Sequence, residues 1–115
     1  MQTVRTPAVA GLFYPADTAE LHNQVQHFLS QVEPPVEPPP KAIIAPHAGY
    51  VYSGPIAASA YARLKAARGT IARVVLLGPS HRVGFRGVAV SGMVAFETPL
   101  GRIPVDQEAV ELARQ

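Results

Sequence analysis

The sequence lacks cysteine and tryptophan, and it has no long apolar run and no cluster of like charges. The absence of cysteine excludes disulfides and thiolate metal ligands within these 115 residues. The ten basic residues are scattered and the formal net charge is only +2, so nucleic acid is not an expected partner. No apolar run approaches the roughly 20 residues of a membrane-spanning helix, and the N-terminus does not resemble a signal peptide. We therefore expect a soluble cytoplasmic protein without a membrane partner.

The rest of the composition is typical of one folded domain. Hydrophobic residues make up 48% of the chain and charged residues 16%, and the length suffices for a core. Prolines and helix-capping residues mark the boundaries between its segments. Five of the twelve prolines fall between residues 34 and 40, which predicts a stiff, extended spacer there. The segments of this single domain, 1–115, are an arm at 1–16, an amphipathic helix at 17–32, a proline-rich spacer at 33–41, a βαβ unit with a hairpin at 42–105, and a helix at 106–115. Asp17 is predicted to cap the first of these helices.

Two apolar runs predict the βαβ unit: KAIIA at 41–45 and ARVVLL at 72–77. The alanine-rich segment between them is predicted to be a helix that begins at Pro55 and ends at Gly69. Strands that are apolar along their whole length are typical of a parallel sheet covered on both faces.

Further strands are predicted downstream of this unit. GVAVSG at 87–92 reads as a strand, and VAFETPLGRIPVD at 94–106 as a hairpin whose last residue caps the final helix. The predicted fold class is therefore α/β, with a mostly parallel sheet and flanking helices.

Two histidines follow the two apolar runs, His47 in PHAGY and His81 in GPSH. The carboxyl ends of parallel strands meet at one edge of a sheet, so both side chains are expected there, within reach of one metal ion. The alternative is that each is a loop histidine hydrogen-bonded to the backbone. The other two histidines, His22 and His27, lie off the apolar stripe of their helix and are expected to be solvated.

Polar residues beside the two histidines extend the candidate site. Tyr50, Tyr52 and Ser80 offer donors that could orient a bound oxygen, and Arg82 offers a fixed charge for an anionic substrate. For the two tyrosines, packing in the core or at its rim explains their presence equally well.

A stable metal site needs at least a third protein ligand beyond two histidines. The local carboxylates are Glu97, in the predicted hairpin, and Asp106, in the position of a helix cap. Ordinary surface and capping roles explain both of them, so neither is the expected ligand.

Three blocks of sequence carry a family resemblance: RTPAVAGLFYPAD, APHAGYVYSGPIAASAY, and VVLLGPSHRVGFRGVAVS with FETPLGRIPVD. In this order they resemble the N-terminal part of the Memo family, also labelled AmmeMemoRadiSam system protein B in bacteria. The resemblance implies a fold related to the class III extradiol (LigB-type) dioxygenases, non-haem iron enzymes that split catechol rings with O₂. It also implies that His47 and His81 match two of the family's metal-site residues, with Fe(II), copper or another divalent ion as cofactor.

The chain departs from the family in what it lacks. The family's further site residues, an Asp, a His and a Cys, come from a C-terminal half, and no cysteine is present here. The resemblance therefore implies half of the family fold and half of its site, as in a fragment of a longer protein.

Three functions remain open at this stage. The first is a metal-dependent, dioxygenase-like oxidoreductase, for which these 115 residues alone are expected to be inactive. The second is a non-catalytic module that binds a small anionic ligand or a peptide, as the animal relatives are associated with a phosphorylated receptor peptide. The third is an inactive half-domain that self-associates through an exposed sheet edge.

Overall fold

A computed structural model describes residues 3–115 and has helices beside a small mixed sheet. The fold class is therefore α/β. The elements in chain order are β1 (Val4–Arg5), α1 (Thr18–Ser30), α2 (Tyr50–Tyr61), a 3₁₀ segment (Ala62–Ala67), β2 (Ala95–Thr98), β3 (Gly101–Pro104) and α3 (Gln107–Ala113). Within residues 3–115, no helix has the length and apolar character needed to cross a membrane.

Helix α1 begins directly after Asp17, the residue predicted to cap it. The Asp17 carboxylate accepts a hydrogen bond from the backbone N–H of Glu20 at 2.9 Å and so satisfies one of the donors left free at a helix start. The apolar stripe of α1 faces α2, and Leu21 is its buried member. His22 and His27 are exposed, as their positions off this stripe predict.

Helix α2 begins at Tyr50, five residues before the predicted start at Pro55. The prediction was wrong because contacts from elsewhere in the chain organise the first turn. The Tyr50 N–H donates to the carbonyl of Phe13 in the N-terminal arm at 2.7 Å. Pro55 consequently lies inside the helix, where it has no N–H to donate to the carbonyl four residues earlier.

The contact between α1 and α2 holds the small core of the molecule. Leu21, Ala58 and Ala62 are the buried hydrophobic residues among those described. Gly54 allows the two helices to approach closely, because a Cβ at this position would lie only 2.5 Å from Cε2 of Phe28. The helix pair therefore depends on small residues of α2 packed against larger side chains of α1.

The sheet has the order β1-β2-β3 and is mixed rather than mostly parallel. Strand β1 pairs in parallel with β2, with Val4 opposite Ala95, and β2 pairs antiparallel with β3 in the predicted hairpin. The arm was predicted to be irregular, but two of its residues form this edge strand. A two-residue strand has no alternating pattern, so only its distant partner reveals it.

The strands predicted at 41–45, 72–77 and 87–92 are wrong for the described part of the chain, because these segments have no strand pairing. Their apolar side chains face solvent: Ile44 is 98% exposed and Leu76 is 79% exposed. A strand that is apolar on both faces needs neighbours on both edges and a covering layer on each face. Residues 3–115 do not supply these neighbours, and the predicted βαβ unit does not form among them.

Candidate functional site

His47 and His81 converge on each other in the structure. Their Nε2 atoms are 3.0 Å apart although the residues are separated by 34 positions in the sequence. The ring centroids are 5.2 Å apart and the ring planes are inclined by 42°. The predicted meeting of the two imidazoles is therefore present, but two exposed loops bring it about rather than the ends of paired strands.

A separation of 3.0 Å between two Nε2 atoms allows two chemical states. In the first, one neutral imidazole donates an N–H to the other, which accepts through its lone pair. In the second, both nitrogens carry lone pairs directed at one cation. Two nitrogens about 2.1 Å from an ion and about 90° apart are themselves about 3.0 Å apart. The pair therefore fits two adjacent ligands on one metal ion.

The loop that carries His47 is tied down at its far end. The Ser53 hydroxyl, which is buried, donates to the carbonyl of Ala48 at 2.7 Å and lies 3.3 Å from that of Gly49. A Cβ at Gly49 would lie 3.6 Å from the Phe13 backbone, so the arm packs closely against this loop. Ser53 is not among the residues predicted from the sequence for this site. A serine within one turn of the loop carbonyls is the local signal that indicates this bond.

The loop that carries His81 is held by a local turn. The Ser80 hydroxyl donates to the carbonyl of Val83 at 2.6 Å, so the predicted role of Ser80, orienting a bound oxygen, competes with this bond. Residues 71–90 are exposed, and the His81 ring is exposed with them. The ion pair between Arg73 and Asp106, at 3.1 Å, connects the start of this segment to the cap of α3.

The tyrosines predicted to line the site differ in environment. Tyr50 is half-buried, with its ring centroid 5.5 Å from that of Tyr14 and 6.4 Å from that of Phe28. Burial raises the pKa of the Tyr50 hydroxyl, and the nearby Tyr14 and Tyr61 raise it further. Tyr52 is 82% exposed. From the start of α2, Tyr50 thus packs against the arm and α1, which is the alternative that the sequence left open.

Neither of the two carboxylates weighed from the sequence, Glu97 and Asp106, joins the pair as a third ligand among residues 3–115. Glu97 pairs with Arg102 at 3.2 Å across the hairpin, where the two residues are opposite each other in register. Asp106 caps α3 through one carboxylate oxygen and binds Arg73 through the other. The described residues contain no group of three or more His, Cys, Asp or Glu side chains placed to hold a metal. Within the same range, Arg82 is exposed and has no ion-pair partner.

Comparison with known proteins establishes the family. The family model described as Memo-like protein matches residues 5–115. A MEMO1 family protein of Aquifex aeolicus (strain VF5) is 44% identical over 108 residues, which are 94% of this chain and 39% of that protein. MEMO1 family proteins of Thermotoga neapolitana and Methanothermobacter thermautotrophicus are 42% and 40% identical, over 95% and 94% of this chain. The chain spans about two fifths of the length of the curated relatives it matches. With a match that extends over nearly all of its residues, the chain belongs to the Memo family.

Proposed function

We propose that this chain supplies two histidine ligands, His47 and His81, to a non-haem metal ion in a protein with a dioxygenase-like fold of the LigB type. The main support is the 3.0 Å approach of the two Nε2 atoms, which come from loops 34 positions apart. Neutral imidazole is the commonest metal ligand in proteins, and the separation is that of two adjacent ligands on one ion. The ions proposed are Fe(II), copper or another divalent cation.

The ion and the two side chains would have different roles in the site. Bound Fe(II) or copper would supply Lewis-acid and one-electron chemistry. His47 and His81 would hold two adjacent positions, and because neutral imidazoles bring no charge, the site would keep a positive potential toward oxygen ligands. Two imidazoles do not complete a catalytic metal site, so we propose no turnover by the described residues alone.

An anaerobic titration with Fe(II), in which calorimetry measures the heat of binding, tests this proposal. The chain should bind the ion, and the double variant His47→Ala/His81→Ala should lose the binding. The chain offers a matched control, His22→Ala/His27→Ala, which removes two exposed histidines of α1 and should bind as the parent does. Equal binding by the parent and the His47/His81 variant would refute the role of the pair.

A second candidate function is the binding of an anionic small molecule or peptide without turnover. It is favoured by Arg82, which directly follows His81, is exposed, and has no ion-pair partner within residues 3–115. Arginine binds carboxylates and phosphates through two parallel hydrogen bonds. Titration with phosphotyrosine and with inorganic phosphate should show binding that Arg82→Ala removes and Arg86→Ala retains. Unchanged binding in Arg82→Ala would count against this candidate.

A further inference from the structure

Tyr14 and Tyr50 are the one pair of tyrosine rings in contact among the residues that the structure describes. Their ring centroids are 5.5 Å apart and the ring planes are inclined by 42°, which is within the range of directly packed aromatic side chains. Tyr14 belongs to the N-terminal arm, whereas Tyr50 is the first residue of α2. The pair therefore joins two distant segments of the chain through two phenol rings that can be oxidised.

The surroundings of the two rings hold them together and leave them within reach of small solutes. A hydrogen bond of 2.7 Å from the Tyr50 N–H to the Phe13 carbonyl keeps the backbone of the arm against the start of α2. The Phe28 ring packs edge-on against Tyr50, with 6.4 Å between the centroids. Both tyrosines of the pair are half-buried, so a small oxidant can reach the phenols, whereas a tyrosine on the surface of a second chain is hindered.

The other two tyrosines of the chain lack such a partner. Tyr52 is 82% exposed and Tyr61 is 51% exposed, and neither ring contacts another aromatic ring within residues 3–115. Tyr50 and Tyr61 are the first and last residues of the 12-residue helix α2, so their backbones are about 16 Å apart along its axis. The geometry thus favours reaction of Tyr14 with Tyr50 over the other pairings. The sequence also contains no cysteine and no tryptophan to compete with tyrosine for a one-electron oxidant.

We propose that Tyr14 and Tyr50 are a modification site, at which a one-electron oxidant joins the arm to α2 through an intramolecular dityrosine. Each phenol gives up one electron and its hydroxyl proton, and the two phenoxyl radicals couple through ring carbons beside the oxygens. The hydrogen on each coupled carbon then moves to the oxygen and restores the hydroxyl. The net change is one new carbon–carbon bond and the loss of two electrons, taken up by two equivalents of the oxidant, and of two protons, taken up by water.

Photolysis of tris(bipyridine)ruthenium(II) with persulfate supplies the oxidant and tests the site, in buffer freed of iron and copper and at low protein concentration. The monomer should lose the mass of two hydrogen atoms and gain dityrosine fluorescence. Trypsin places Tyr14 in peptide 6–41 and the other three tyrosines in peptide 42–63. The two peptides should therefore be recovered as one species, and its fragmentation in the mass spectrometer should locate the bond at Tyr50.

Variants of the tyrosines separate this pair from the other tyrosines. Tyr14→Phe and Tyr50→Phe keep a packed ring and remove the phenol, so each should lose the intramolecular cross-link. Tyr52→Phe is the matched control in the same segment and should cross-link as the parent does. His47→Ala/His81→Ala should also cross-link, because the reaction does not need the proposed metal site.

Unfolding measurements show whether the bond depends on the fold and stabilises it. In urea the parent should give much less of the intramolecular product, because the ring contact is lost. The cross-link closes a loop that the folded chain already forms, so it restricts mainly the unfolded state. The loop-closure relation used for disulfides predicts that the equilibrium constant for unfolding falls by roughly a hundredfold or more in the cross-linked chain.

Several results would overturn the proposal. One is an oxidised chain without dityrosine, or with dityrosine only between chains. Another is a bond that fragmentation places on Tyr52 or Tyr61, or that persists in Tyr14→Phe or Tyr50→Phe. An equal yield in urea would show that the reaction does not depend on the ring contact, and an unchanged unfolding equilibrium would show that the bond does not fasten the arm in its folded place.

Discussion

Gly54 provides the sharpest test of the contact between α1 and α2. In the interior of a helix, replacing Gly by Ala normally stabilises a protein by about 1 kcal/mol. Here the added Cβ would lie 2.5 Å from Cε2 and 2.8 Å from Cζ of Phe28, whereas carbon atoms in contact prefer about 3.5–4.0 Å. The Phe28 ring must move by about 1 Å, and overpacking of this kind costs about 1–3 kcal/mol. We expect Gly54→Ala to destabilise the chain by about 1 kcal/mol.

Urea unfolding followed by far-ultraviolet circular dichroism measures this change, since the chain has no tryptophan to report on folding. Phe28→Leu provides the matched background, because it removes Cε2 and Cζ, the two ring atoms nearest to the new Cβ. In that background Gly54→Ala should become neutral or stabilising, which gives a coupling energy of opposite sign to the single effect. A Gly54→Ala variant that is about 1 kcal/mol more stable than the parent would show that the helices do not pack as described.

Ser53, Tyr50 and Leu76 allow three shorter tests. Ser53→Ala removes the bond to the Ala48 carbonyl and should weaken metal binding about tenfold in calorimetry, whereas Ser59→Ala, on the exposed side of α2, should not. The raised pKa of Tyr50 favours its neutral form in the folded state, so stability should be intact below about pH 10 and fall as pH rises through that pKa. In Tyr50→Phe the urea midpoint should fall less than in the parent between about pH 8 and 11. A pH profile equal to the parent's would show that Tyr50 is not the group responsible. Leu76→Lys changes an exposed side chain, so light scattering should show less self-association and circular dichroism the same helix content; lost helix would contradict its exposure.

Local signals predicted those elements whose determinants are local. The caps at Asp17 and Asp106 bond to the backbone three residues onward, so the sequence around each is sufficient to identify them. The hairpin is likewise defined by nearby residues. The start of α2 could not be found in this way, because it depends on the carbonyl of Phe13, which lies in the arm far from it in sequence.

The apolar runs show the limit of pattern reasoning. Residues 72–77 have the composition of a buried strand, but a strand forms only where another strand supplies its hydrogen bonds. Composition cannot indicate where that partner lies, and no part of residues 3–115 provides it. The fold class was therefore predictable, whereas the order of the strands in the sheet and the parallel pairing of β1 with β2 were not.

The approach of the two imidazoles was predictable from the sequence, whereas their surroundings were not. The PHAGY and GPSH segments indicated that His47 and His81 would meet, and they do, although without the strands from which their meeting was argued. The packing of Tyr50 and the anchoring of the loop by Ser53 depend on contacts among three segments of chain, which no spacing pattern reveals.

The central claim is that His47 and His81 bind one ion together, and a double-mutant cycle on Fe(II) affinity tests it most directly. Two ligands on one ion act as a linked pair, and loss of either should weaken binding about a hundredfold or more. His47→Ala, His81→Ala and the double variant should therefore lose nearly the same amount, with strong non-additivity between the single changes. Affinities that are unchanged in either single variant, or losses that simply add, would contradict the claim.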